Sequence, residues 1–231
     1  RLDRTLADLF SFIDKEVGLK HTLIVLSADH GQPEVPGYLQ EMSIDNAHYF
    51  DTKALDKTPA IMALKKQFGL GEELIEAFNQ PYLYLNHELI HAKGLDQAQV
   101  EQAVAAELLK FDGVSYAVSS TALRTDNLPD TMMTRSIMHN FHPKRSGDIY
   151  LVFEPNVFIN DFDGLTVAST HGSPWRYDTF VPVIFAGAGL PAMAVSRPIT
   201  PYDIAPTLAA YLGVKPPSGS IGMPLPELLK Q

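Results

Sequence analysis

The chain has 231 residues, 45% hydrophobic and 19% charged, with a net charge of −9 and no cysteine. This is ordinary globular composition, enough for one large domain or two small ones. It excludes thiolate metal sites, thiol catalysis and disulfide support. No stripe of Lys and Arg marks it for long nucleic acid, and no apolar run reaches the length of a membrane span.

Leu2, Leu6, Leu9, Phe10, Ile13 and Val17 recur at helical spacing, which predicts an amphipathic helix over 2–17, ended by Gly18. Arg1 opens directly into it, so the chain reads as a piece of something longer whose start would carry any export signal. Thr22–Leu26 (TLIVL) is a short apolar run of the kind buried on both faces of a parallel sheet. A helix feeding such a strand points to α/β architecture. Pro33, Pro36 and Gly37 break the pattern, and helices are expected over 56–68 and 72–78. Tyr82–Leu85, Val114–Val118 and Asp148–Phe153 read as strands. Between them lie a helix from an Asp96 cap to Leu109 and another around 131–140. After Pro155 come a second buried-type strand, Val181–Phe185 (VPVIF), and a helix capped by Asp203 and ended by Gly213. A tail rich in Pro and Gly follows, with a short last helix. The expected organisation is an α/β domain made of residues 1–78 and 155–231, split by an inserted α+β subdomain at 79–154.

Two places carry chemistry. Ser27-Ala28-Asp29-His30-Gly31 directly follows TLIVL, and in open α/β sheets ligands bind beyond the carboxyl ends of strands. Asp29 and His30 offer an oxygen and a nitrogen, both good zinc donors, and Gly31 lets the chain bend behind them. Thr170-His171-Gly172-Ser173-Pro174 lies ahead of VPVIF, a second His-Gly pair bordering an apolar strand. On residues alone, a turn or capping role and a metal role remain open for both motifs.

Rival signals are weaker. His87-Glu88-Leu89-Ile90-His91 fits the HExxH string of zinc proteases. However, it follows a strand directly, Gly94 ends any helix almost at once, and no third ligand follows at the expected spacing. His139 and His142 are three apart on a helical stretch, where a solvated surface is the simpler reading. Ser173 and Thr179 are possible nucleophiles, but no orienting base stands at a recognisable spacing.

Three strings decide between these readings: SADHG after an apolar strand, THGSPWRYDTFVPVIFAG, and ITPYDIAPTLAAYLGVKPPSGSIGMPL. Together they resemble the alkaline phosphatase superfamily. The branch is that of type I phosphodiesterases and nucleotide pyrophosphatases, which includes periplasmic single-chain alkaline phosphatases. The resemblance covers residues 1–50 and 165–231 well and the middle only in outline. It implies an α/β fold, a sheet with helices on both faces interrupted by a small α+β insert, of which this chain is the C-terminal part. It also implies two zinc ions, with Asp29 and His30 on one and His171 on the other. The expected substrate is a small phosphate ester, hydrolysed through a phospho-enzyme, and the expected location is periplasmic or secreted. Monoesterase is the first reading and phosphodiesterase on the same metals the alternative. A zinc metalloprotease on His87, Glu88 and His91 and a non-catalytic binding domain rank below both.

The chain also departs from the family pattern. The family's N-terminal Asp ligand, its Ser or Thr nucleophile and its Asp-x-x-x-His ligand pair are not found. This chain is therefore expected to hold half a site and no catalytic nucleophile, and to bind zinc weakly.

Overall fold

A computed structural model describes residues 1–159, 168–187 and 189–229. In chain order its elements are α1 (Leu2–Glu16), β1 (Leu23–Ser27), α2 (Pro36–Glu41), β2 (His48–Phe50), α3 (Pro59–Phe68), β3 (Ile75–Asn79), β4 (Tyr82–Leu85), α4 (His87–Ala92), α5 (Gln97–Leu108), β5 (Val114–Ser119), α6 (Ser120–Arg124), α7 (Met132–Asn140), β6 (Ile149–Phe153), β7 (Val157–Ile159), α8 (Arg176–Thr179), β8 (Val183–Gly187), α9 (Ile204–Tyr211) and α10 (Pro226–Leu229). They form two compact units, Arg1–Asp29 with Val181–Gln231, and His30–Phe180.

The terminal unit holds the two apolar runs that flank the rest of the chain. TLIVL and VPVIF do pair, as β1 with β8, from Leu23 opposite Gly187 to Ser27 opposite Val183. The pairing is antiparallel in a two-stranded sheet, not the parallel arrangement expected. A continuous apolar run reports a need for burial and says nothing of strand direction. Leu26 and Ile184 are about half exposed, at 48% and 49%. Gly187 is required: at φ +93 it lies in the left-handed region, and a Cβ there would stand 2.2 Å from the Thr22 carbonyl oxygen. The Asp203 cap takes another form. Its carboxylate accepts the Thr200 N–H and hydroxyl, as the far half of a capping box that opens a 3₁₀ turn at Pro201–Asp203, and also the Met223 N–H. It does not cap α9 itself.

The second unit is built on an antiparallel sheet in the order β3-β4-β6-β5. All five residues of β6 are buried, because the sheet is covered on both faces. Ile149, Leu151 and Phe153 join Leu83, Val100, Val104 and Leu108 in one core cluster. Tyr150 and Val152, which alternate with them, join Val118, Leu123 and Ile137 in another. The side chain of Asp96 accepts the Gln99 N–H and starts α5 as expected. Thr131 and Thr134 start α7 with a reciprocal cap.

The core of this unit reaches beyond residues 79–154. Phe50, Leu55, Ile61, Leu64, Val157 and Ile159 belong to the same core cluster as the sheet, so residues on both sides of that span are packed into it. Residues 72–78 form no helix. Ile75–Asn79 is β3, paired with β4 across a tight turn, with a register shift between Ile75 and Ala77. Pairing overrides the helical preference of its Glu and Ala residues.

Tyr150 gives this sheet a pH limit. The residue is 5% exposed, and its ring meets that of Tyr82 edge-on at 5.1 Å. Burial, and then the neighbouring phenol, push its pKa from 10.0 up to about 12. The unfolded chain ionises first, so this contribution is whole below about pH 10 and is lost as pH rises toward the folded value. The loss amounts to about 3 kcal/mol. Tyr150→Phe is expected to flatten the alkaline fall in stability, measured by urea unfolding at about pH 9 and about pH 11.5. An equally steep fall in the variant would refute this.

Candidate metal centre

The sequence-level donors sit on two loops. Ala28–Gly31 leaves β1, and residues 168–175 lead into α8. Both His30 and His171 belong to the His30–Phe180 unit. Their rings are stacked, with centroids 3.5 Å apart and planes within 7°. The lone pairs of an imidazole lie in its plane, so two parallel rings do not converge on one ion. They can each address one of two neighbouring ions, which in two-metal sites stand roughly 4 Å apart.

The tautomer of His30 is set locally. Its Nδ1 lies 2.6 Å from the Gly31 carbonyl oxygen. A ring nitrogen beside a carbonyl carries the proton and donates it, which makes Nε2 the unprotonated nitrogen of the ring. Asp29 adjoins His30 in sequence and is the last residue of the terminal unit. The structure thus brings His30 and His171 together. Among the described residues, no group of three or more His, Asp or Glu side chains is gathered as a metal requires. Imidazole nitrogens are good donors to zinc, but two of them are too few for two filled sites.

The loops are cross-tied by residues that sequence reading missed. Gln32 Nε2 donates to Ser169 Oγ at 2.8 Å, and Gln80 Nε2 donates to the His171 carbonyl at 3.3 Å. The Gly31 N–H donates to the Asp178 carbonyl at 2.7 Å. This approach explains the glycine: a Cβ at 31 would stand 2.0 Å from the Tyr177 carbonyl oxygen. The Asp178 carboxylate accepts both the N–H and the hydroxyl of Ser173, at 2.8 and 2.6 Å. The only signal in sequence is the five-residue spacing of Ser173 and Asp178 within the quoted motif.

The rival sites resolve into structural roles. Asn86 caps the six-residue α4. His87 Nε2 lies 2.8 Å from Asp148 Oδ1, and the other oxygen of that carboxylate accepts the Leu85 N–H. His139 ends in α7, and His142 lies beyond it, with its Nδ1 accepting the Lys144 N–H. The Ser173 hydroxyl is bound to Asp178, and that of Thr179 donates to the Trp175 carbonyl. No described helix is long and apolar enough to cross a membrane.

Residues 1–174 match the family model of type I phosphodiesterase / nucleotide pyrophosphatase. Over 231 residues the chain is 34% identical to a Myroides odoratus protein named calcium-transporting ATPase, covering 100% of this chain and 41% of the relative. Alkaline phosphatase PafA of Elizabethkingia meningoseptica is 30% identical, with 99% and 40% covered. Alkaline phosphatase PhoV of Synechococcus elongatus is 30% identical, with 100% and 40% covered. The crystal structure of wild-type PafA superimposes with a TM-score of 0.83 at 30% identity, over 98% of this chain and 42% of that one. The chain therefore spans about 40% of the length of these curated relatives, and its mixed α/β structure matches part of the PafA fold. It belongs to the type I phosphodiesterase / nucleotide pyrophosphatase family, within the alkaline phosphatase superfamily.

Proposed function

We propose that this chain supplies half of the two-zinc centre of a phosphate-ester hydrolase that prefers monoesters. The supporting observation is the parallel stack of His30 and His171; on this reading each ring would face one of two adjacent ions. Asp29 and His30 hold one ion, through a carboxylate oxygen and Nε2, and His171 holds the other. A zinc pair held there would supply Lewis acidity for phosphate-ester hydrolysis. The protein's part is positional. The Gly31 carbonyl fixes the tautomer of His30, and the bonds from Gln80, Gln32 and Asp178 keep the two loops in register. The nucleophilic Ser or Thr and the remaining ligands lie outside this sequence, in keeping with the share of the relatives that it spans. Export to the periplasm or beyond, a sheet with helices on both faces and an inserted subdomain belong to the same proposal.

The family description favours one second reading, a phosphodiesterase or nucleotide pyrophosphatase on the same metals. The test compares this chain with a protein extended upstream to the length of its relatives. The short chain is expected to hydrolyse no phosphate ester. The long one should hydrolyse p-nitrophenyl phosphate in a zinc-dependent way, and faster than bis-p-nitrophenyl phosphate. Preference for the diester would favour the second reading. Chelator-sensitive turnover by the short chain would show the site to be elsewhere, and an inert long protein would make this a binding domain.

A further inference from the structure

The two imidazoles sit on loops about 140 residues apart in sequence, and stacking alone does not hold two loops in place. Asp178 reaches both. Its main-chain carbonyl accepts the Gly31 N–H at 2.7 Å, one residue after His30. Its Oδ2 accepts the Ser173 N–H at 2.8 Å and the Ser173 hydroxyl at 2.6 Å, two residues after His171. The residue is 4% exposed, and its other oxygen, Oδ1, is buried with no hydrogen-bond partner among the described residues. A buried carboxylate with an unsatisfied oxygen is costly, and simple turn formation does not need one: an Asn or Ser would serve. The short helix α8 that carries Asp178 is itself anchored, because the Trp175 indole N–H donates to the Phe153 carbonyl in β6 at 2.8 Å.

We propose that Asp178 is the positioning residue that sets the His30 and His171 rings in register, one loop bound through its carbonyl and the other through its carboxylate. Its value for a metal centre rests on the zinc reading above, whereas its effect on the ring pair does not. Partners that orient metal-bound imidazoles typically alter metal affinity 10- to 100-fold when removed.

The test uses the 231-residue chain, with zinc ion alone as the probe. Imidazole NMR reads the contact between the His30 and His171 rings, and zinc titration reads the shifts of both. Asp178→Ala is expected to abolish the inter-ring nuclear Overhauser effect and to weaken zinc binding roughly 10-fold or more, with the shifts of the β3–β6 sheet unchanged. Asp178→Ala and Asp178→Asn both keep the main-chain carbonyl for Gly31, but only Asn keeps a side-chain acceptor for Ser173, so it should restore the ring contact. A lower melting temperature in Asp178→Ala, with ring contact and zinc response intact, would reduce Asp178 to a structural residue and overturn the proposal. If Asp178→Ala does not fold, Ser173→Ala takes its place. It should weaken the ring contact and zinc binding roughly 5-fold, and no change in either would overturn the proposal. Zinc that shifts neither ring in the unsubstituted chain would refute the metal reading. The loss or survival of the ring contact in the variants would then decide the role of Asp178 by itself.

Discussion

Replacing His171 with Ala in the upstream-extended protein is expected to lower kcat/KM for p-nitrophenyl phosphate by roughly three orders of magnitude. A metal Lewis acid contributes several kcal/mol to the transition state, and each 1.36 kcal/mol is tenfold in rate. On the proposed reading, His171 is the ligand that the described residues offer to its ion, so its loss should weaken zinc binding there. Asp29→Ala should cost a similar factor by stripping one of two donors from the other ion. His139→Ala and His142→Ala should leave the rate unchanged, because neither histidine is part of the stacked pair. Steady-state kinetics with zinc held in excess separates these cases. A fully active Asp29→Ala variant would mean that the DHG motif is a turn and not a ligand pair.

The largest expected effect on stability lies away from the site. Lys65 Nζ meets Asp56 Oδ2 at 2.5 Å, with side-chain exposures of 10% and 9%. Asp56 Oδ1 accepts the N–H groups of Leu74 and Ile75 at 2.9 and 2.8 Å. This carboxylate therefore ties α3 to the start of β3. Asp56→Ala would leave a buried ammonium and two buried N–H groups without an acceptor. The expected cost is about 3–5 kcal/mol, a large share of the roughly 5–15 kcal/mol that holds a typical domain together. Urea unfolding followed through Trp175 should show it as a fall in midpoint with little change in slope. Asp56→Leu combined with Lys65→Met should recover most of the loss, since removing both charges leaves nothing to neutralise. A single variant within about 1 kcal/mol of the original would show the pair to be ornamental.

How much of this was legible in sequence depends on whether the signal was local. The cap at Asp96 and the helix it starts could be read because side chain and backbone lie three residues apart. The stretch 72–78 could not, because its strand exists through pairing with β4, and no residue inside it announces that pairing. The parallel pair β2 with β7 was missed for a related reason: three residues are too few to show a period. The direction of β1 against β8 and the extent of the core around the four-stranded sheet are both properties of assembly. At the site, Asp29, His30 and His171 stood out by residue type beside apolar strands, and family resemblance gave them their roles. Asp178 did not stand out. Its bond to Gly31 runs through a main-chain carbonyl, which any residue possesses, and only the folded path of α8 brings it there.

The most direct test is anomalous diffraction at the zinc edge from crystals of the upstream-extended protein grown with zinc. The account predicts two peaks roughly 4 Å apart, one within coordination distance of Asp29 and of His30 Nε2, the other on a ring nitrogen of His171. Peaks at His87 and His91, or a zinc-saturated protein with density at neither His30 nor His171, would contradict it.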